Sequence, residues 1–202
     1  MATQSNTIDY YFSVFSPWAY IGDARFKELA KAHDKSVRYH PMLSPVLFPA
    51  TGGIALKDRA QPRKDYRMAE LKRWRDLLGV ELNLEPKHFP VPEAAASQLI
   101  LATQDAGEDP GTLVHAIFRA VWAEDRDISD AATLTEIACA VGLDGQALSI
   151  KSQNSEFEQA CQDETQAAIA AGVFGYPTYV YGDELLWGQD RLDFLERALN
   201  AD

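Results

Sequence analysis

Ser16, followed by Pro17-Trp18-Ala19-Tyr20, is the first place where residue types and their order suggest chemistry. A serine ahead of a proline reads as a helix start. The hydroxyl accepts from a free backbone N–H, and proline loses nothing at the first helical position. The residues through about His33 continue at helical spacing with Ile21, Phe26, Leu29 and Ala30. A hydroxyl at such an end sits where unpaired N–H groups and the helix dipole favour negative charge. Taken alone, Ser16 is accounted for as a plain cap. Two distant stretches change that reading. One is Gly172-Val-Phe-Gly-Tyr-Pro-Thr178, with Pro177 entering a strand. The other is Trp187-Gly-Gln-Asp-Arg191, at the start of a closing helix. Backbone N–H groups there suit a carboxylate, and Asp190 either suits an ammonium or is an ordinary first-turn acid.

The elements that must position these groups follow from periodicity. Residues 8–14 alternate aromatic and polar around Tyr10 and Phe12, which predicts a first strand. A helix over 17–33 and a short strand over 37–42, bent by Pro41, complete a β-α-β unit. The right-handed crossover makes its strands parallel. Residues 44–53 hold Pro45, Pro49 and a glycine pair and read as a loop. Helices are expected over 63–78, 90–106, 110–123, 130–141, around Gln146 and over 155–171. Tyr66, Glu70, Arg73 and Trp74 share one face of the first of these. Ser155 and Glu158 have capping-box spacing at the start of the last. Thr178–Tyr181 and Glu184–Trp187 flank Gly182-Asp183, a two-residue hairpin signal, and a helix over 189–199 closes the chain. The order β-α-β, five or six helices, β-β-α is that of an α/β thioredoxin-like core, 1–43 with 173–202, interrupted by an all-α insertion, 44–172.

Composition narrows the function. The chain is 47% hydrophobic and 24% charged, ordinary for a globular domain. No apolar run approaches the roughly 20 residues that span a bilayer. Met1–Thr7 is short and polar, unlike a secretory signal, so a cytoplasmic location is expected. The net charge of −11 argues against affinity for nucleic acid or anionic membranes. Lys57–Arg75 is the exception, with eight basic residues against three acids, either a solvated helix face or a patch for a small anion. Four scattered histidines and two separated cysteines give no metal-site spacing. Cys139 and Cys161 read as buried, inert thiols.

In a thioredoxin-type fold the helix after the first strand usually begins with Cys-x-x-Cys, whose first thiol the helix end acidifies. Here the window is Ser16-Pro17-Trp18-Ala19, which contains no sulfur and cannot exchange disulfides. Serine without a base is a poor nucleophile. A hydroxyl can instead hydrogen-bond a thiolate carried in by another molecule, and glutathione is the obvious carrier. A cis bond is expected at Tyr176-Pro177, turning the N–H and C=O of Tyr176 toward a ligand that pairs as an added strand. Asp190 would then meet the α-amino group of the γ-glutamyl end.

These residues resemble a known family. Val173-Phe-Gly-Tyr-Pro-Thr178, Gly182-Asp-Glu184 and Trp187-Gly-Gln-Asp-Arg-Leu192 are similar to the C-terminal signature of 2-hydroxychromene-2-carboxylate isomerases, relatives of kappa-class glutathione transferases and of DsbA. Ser16-Pro17-x-x-Tyr20 and Tyr66-x-x-x-Glu70-x-x-Arg73-Trp74 resemble its earlier motifs, with Glu70 where Asp is common. The resemblance implies a glutathione-dependent cis–trans isomerase of aromatic catabolism, acting as a homodimer on a small aromatic carboxylate. Ser16 is the implied thiolate stabiliser, and Tyr176, Pro177, Trp187, Gly188, Gln189 and Asp190 fall on glutathione-binding positions. Phe48, Arg59 and Phe89 are the implied substrate positions, with Arg59 or Lys64 pairing the carboxylate. Tyr176 replaces a residue commonly small and aliphatic, and Phe48 one that can be lysine. A kappa-like transferase or peroxidase and a non-catalytic thiol-ligand module remain alternatives.

Overall fold

The structure, a computed structural model, describes residues 6–201. The outermost positions of the expected thioredoxin-like segments, 1–5 and 202, lie outside the described residues, as does most of the polar start. Strand β1 (Thr7–Phe12) buries Ile8, Tyr10 and Phe12 on one face, the period-two pattern of a half-covered strand. Helix α1 (Pro17–Ala32) leads to β2 (Ser36–Pro41), which pairs parallel to β1 with Tyr10 opposite Tyr39. Strand β3 (Thr178–Tyr181) runs antiparallel on the other edge of β1, and β4 (Glu184–Trp187) lies beyond it. The sheet order is β2-β1-β3-β4. Gly182, with φ of 57°, supplies the left-handed residue of the expected hairpin turn. Tyr10 stands at the centre, with its ring 5.3 Å from Tyr179 and 4.7 Å from Phe26 of α1.

Between the two halves run α2 (Ser44–Thr51), α3 (Gln61–Leu78), α4 (Ala94–Asp105), α5 (Gly111–Trp122), α6 (Ala131–Ala140), α7 (Gly145–Ser152) and α8 (Ser155–Ala170). The expected loop over 44–53 is thus a helix, and the insertion has seven helices where five or six are expected. Pro45 sits in the first turn, where its missing N–H has no intrahelical partner, and Leu47 is buried with Met42, Ala168 and Val173. Packing here overrides the proline and glycine signals. Gly52, at φ 76°, ends the helix in the left-handed conformation.

Other boundaries differ by smaller amounts. The first strand stops at Phe12, and a turn in which Ser16 N–H donates to the Ser13 carbonyl at 3.0 Å leads into α1. Asn154, not Ser155, is the cap of α8, and no side-chain capping bond forms there. The closing helix opens as a 3-10 turn, Gln189–Arg191, before α9 (Leu192–Asn200). Cys161 is buried as expected, whereas Cys139 is exposed because it lies on the outer face of α6. No helix of the described residues is long and apolar enough to cross a membrane.

The principal core runs across the boundary between sheet and insertion. Ile8, Tyr10 and Phe12 share one apolar cluster with Leu99 and Ile100 of α4 and Ile117, Phe118 and Trp122 of α5. Helix α3 contributes little to it, since Leu71 is its one fully buried residue and Tyr66 is 63% exposed.

Candidate functional site

Ser16 caps α1, with the Ala19 N–H donating to Oγ at 3.2 Å and Pro17 in the first turn. Its oxygen is thus occupied as an acceptor, while its own proton remains available to a ligand. The residue is 1% exposed. The peptide between Tyr176 and Pro177 is cis, as the sequence leads one to expect. Among the described residues neither the N–H nor the C=O of Tyr176 is paired, because the β3 ladder begins at Thr178. Gly188, at φ 111°, donates its N–H to the Pro177 carbonyl at 2.8 Å and thereby places the closing segment beside the same loop.

That segment also closes on α1. A Cβ on Gly22 would lie 2.7 Å from Gln189 Cβ, so a glycine is needed there. Buried Gln189 accepts from Arg25 Nη1 at 3.3 Å. From Ser16 to Gly22 the helix rises about 9 Å, and an extended tripeptide spans about 10 Å. Along α1, Ser16 and the point where Gln189 packs on Gly22 are therefore separated by about the span of one extended tripeptide. Asp190 is half-exposed beside Arg191 Nη1 at 3.3 Å. Trp187 is 52% exposed and meets Phe174 edge-on at 4.8 Å. Gly175 makes room for it, since a Cβ there would fall 2.6 Å from the indole Nε1.

The expected substrate positions divide. Phe48 of α2 stacks on Tyr176 with centroids 5.5 Å apart. Phe89 meets Phe15, the neighbour of Ser16, at 6.0 Å, and Trp122 at 5.0 Å. Arg59 is held by the Ile54 carbonyl at 2.8 Å from Nε, and its charge acts on both Tyr176 and Arg67. Lys64 instead turns onto its own segment, donating to the Lys57 carbonyl at 2.8 Å.

Several residues that sequence reasoning passes over are also here. The Arg67 guanidinium lies 5.7 Å over the Phe89 ring, half-buried, with no carboxylate partner among the described residues. Burial, then the charge of Arg59, pulls its pKa down to about 10. Glu93 is 5% exposed and takes hydrogen bonds from the hydroxyl of Ser13 and from both the N–H and hydroxyl of Ser44. Burial pushes its carboxyl up to about 7, against the pull of those serines. The Ser44 hydroxyl also lies 2.7 Å from the Tyr176 hydroxyl, and burial raises that phenol. Arg67 lay within the basic run, and Ser13 three residues before Ser16. Glu93 carried no signal.

The family profile of DSBA-like thioredoxin domains matches residues 7–200. The chain is 31% identical over 196 residues to a 2-hydroxychromene-2-carboxylate isomerase of Sphingobium xenophagum, covering 96% of this chain and 98% of that one. A solved 2-hydroxychromene-2-carboxylate isomerase superposes with a TM-score of 0.81 at 27% identity, covering 96% of this chain and 95% of its own. A cytosolic disulfide reductase of Pseudomonas aeruginosa, solved with GSH, shares the fold at a TM-score of 0.67 and 20% identity, covering 96% and 99%. The chain belongs to the DSBA-like thioredoxin family and, within it, to the 2-hydroxychromene-2-carboxylate isomerase family.

Proposed function

We propose that this protein is a glutathione-dependent isomerase that interconverts 2-hydroxychromene-2-carboxylate and trans-o-hydroxybenzylidenepyruvate in the breakdown of naphthalene-type aromatics. The observation that carries the reading is the pair Arg59 and Arg67. Among the described residues these two guanidiniums meet no carboxylate; Arg67 lies over Phe89, which touches Phe15 beside the α1 start, Arg59 acts on Tyr176, and that start offers a hydroxyl and no thiol. An aromatic carboxylate satisfies both charge and shape there.

Glutathione would lie along α1, its cysteine pairing with the free backbone of Tyr176 and its γ-glutamyl end at Gln189 and Asp190. The same fold holds GSH in the Pseudomonas reductase, so the scaffold can accommodate the tripeptide. Ser16 donates to the sulfur, and the N-terminus of α1 favours its ionised form. Because Ser16 is almost fully covered, binding includes a local parting of the side chains over the helix end. The thiolate adds to the benzylic carbon of the ring-opened enone, and the C=C electron pair moves to the ketone oxygen. The former double bond now rotates. The pair then returns and expels the sulfur, so glutathione is regenerated.

The protein that fits this reading is a cytoplasmic homodimer with a small aromatic acid as substrate. Calorimetric titration with reduced glutathione, followed by the chromene assay on the same sample, tests it. Reversible interconversion without loss of thiol is expected. Stoichiometric thiol consumption would make it a kappa-like transferase, and binding without turnover of either kind a thiol-ligand module.

A further inference from the structure

Four separate parts of the chain converge on one buried carboxyl. Glu93 precedes α4 but makes no capping bond to it. Its oxygens are taken by Ser13 from the turn before α1 and by Ser44 from the start of α2, with the Ser44 hydroxyl at 3.2 Å. Since that hydroxyl donates to Glu93, the 2.7 Å contact between Ser44 and Tyr176 has the phenol as donor. The chain of donors therefore runs Tyr176 to Ser44 to Glu93. Its outer end is half-buried beside Phe48, in the loop that faces the proposed ligand. We propose that Tyr176, Ser44 and Glu93 form a proton relay that carries the hydroxyl proton of the hemiketal substrate during ring opening. This rests on the isomerase reading.

The step balances within the relay. The 2-hydroxyl proton passes to Tyr176 Oη, the Tyr176 proton to Ser44 Oγ, and the Ser44 proton to the Glu93 carboxylate. The C2–O1 bond breaks as its electron pair leaves on the ring oxygen, and the 2-oxygen becomes the ketone. The relay then runs backward and Tyr176 protonates the phenolate. Both substrate oxygens are carried by the same carbon, so one phenol reaches each in turn. No net proton is gained or lost.

A carboxyl whose pKa burial holds at about 7 both accepts and returns a proton at neutral pH. Its upward shift comes from burial, with the two serines pulling against it. The titratable groups that feel its charge are Tyr176 and Cys161 of α8, and the charge of Arg59 acts on Tyr176 in the opposite sense. The relay gives the Tyr176 hydroxyl, whose partner is the Ser44 hydroxyl at 2.7 Å, a task.

The test compares wild type, Tyr176→Phe and Glu93→Gln over the pH range around neutrality. Tyr176→Phe keeps the ring on Phe48 and removes only the hydroxyl, so it folds even if Glu93→Gln does not. Its kcat for the chromene is expected to fall about 100-fold, within the usual range of acid–base contributions. In wild type kcat should rise with pH through a limb near 7, which both variants lose. If wild type interconverts the isomers and Tyr176→Phe matches it across the range, the relay is wrong and the isomerase stands. If wild type does not interconvert them, the functional reading falls and the relay falls with it.

Discussion

Arg67 shows most plainly what a single side chain adds to the site. A guanidinium kept partly out of water, above the Phe89 ring and near Arg59, has no acid to meet it among the described residues. A charge-assisted bond to a substrate carboxylate contributes about 1.5–3 kcal/mol. Arg67→Leu should therefore raise KM for the chromene carboxylate by about 10- to 100-fold, with the affinity for glutathione unmoved. The neutral methyl ester of the substrate should bind both forms alike; equal sensitivity of acid and ester would remove Arg67 from the role. Ser16→Ala is expected to keep the fold at a cost of about 1 kcal/mol for the lost cap, while the pKa of bound glutathione rises. Thiolate absorbance against pH reads this directly, and an unchanged curve would exclude Ser16 as the sulfur's partner. Ser16, Tyr176 and Pro177 were legible in the sequence because a cap and a strand-entering proline act through the local backbone. Arg67 was not. Eight cations between Lys57 and Arg75 look alike until burial singles one out. Glu93 was less legible still, since its three donors come from positions 49 and 80 residues away in the chain.

Among the secondary-structure elements, β1, β2 and α8 are clasped by His40. Its Nε2 lies 2.8 Å from Asp9 of β1 and its Nδ1 2.6 Å from Glu164 of α8, so both ring nitrogens face carboxylates and the protonated ring is favoured. Burial alone would lower the imidazole pKa, but the two carboxylates outweigh it and raise it above 6.5. Asp9 moves the other way, held below its usual 3.8 chiefly by the hydrogen bond to His40. The His40 contribution to stability is thus complete below the free imidazole value and is lost as pH rises through the raised one. That of Asp9 is present above its unfolded value and is lost as pH falls through the lowered one. His40→Gln should cost on the order of 1–3 kcal/mol near pH 5.5 and distinctly less near pH 9, by urea denaturation. A difference that does not change with pH would show that folding leaves the imidazole pKa where it is in the free chain and would remove the ion pairs. Strands and the hairpin were readable from alternation and Gly182-Asp183, which are local signals. Helix α2 was not, because Leu47 gains its burial from Ala168 and Val173, over a hundred residues downstream.

At the scale of the whole molecule, residues of 44–172 share the sheet's core, which predicts that this segment does not unfold apart from it. Phe118 of α5 is fully buried, and its ring meets Phe12 of β1 at 5.7 Å and Tyr20 of α1 at 6.4 Å. Trp122, one turn further along α5, lies in the same cluster as Ile8 and Tyr10. Helices α1 and α5 therefore pack together over one face of β1, and removing either partner exposes the same aromatic residues. Phe118→Ala should destabilise the protein by about 3–5 kcal/mol, the usual cost of emptying such a site. The loss should reach both segments equally. Fluorotryptophan NMR distinguishes Trp18 on α1 from Trp122 on α5, so each segment carries its own reporter. In a urea titration of wild type the two resonances should lose their native positions at one midpoint, and in Phe118→Ala at one lower midpoint. Were the insertion a separate folding unit, the variant would split the transitions, with Trp122 melting early and Trp18 holding its wild-type midpoint. The single midpoint is expected because Phe118 packs on Phe12 of β1 and Tyr20 of α1 at once, so both segments share one apolar cluster.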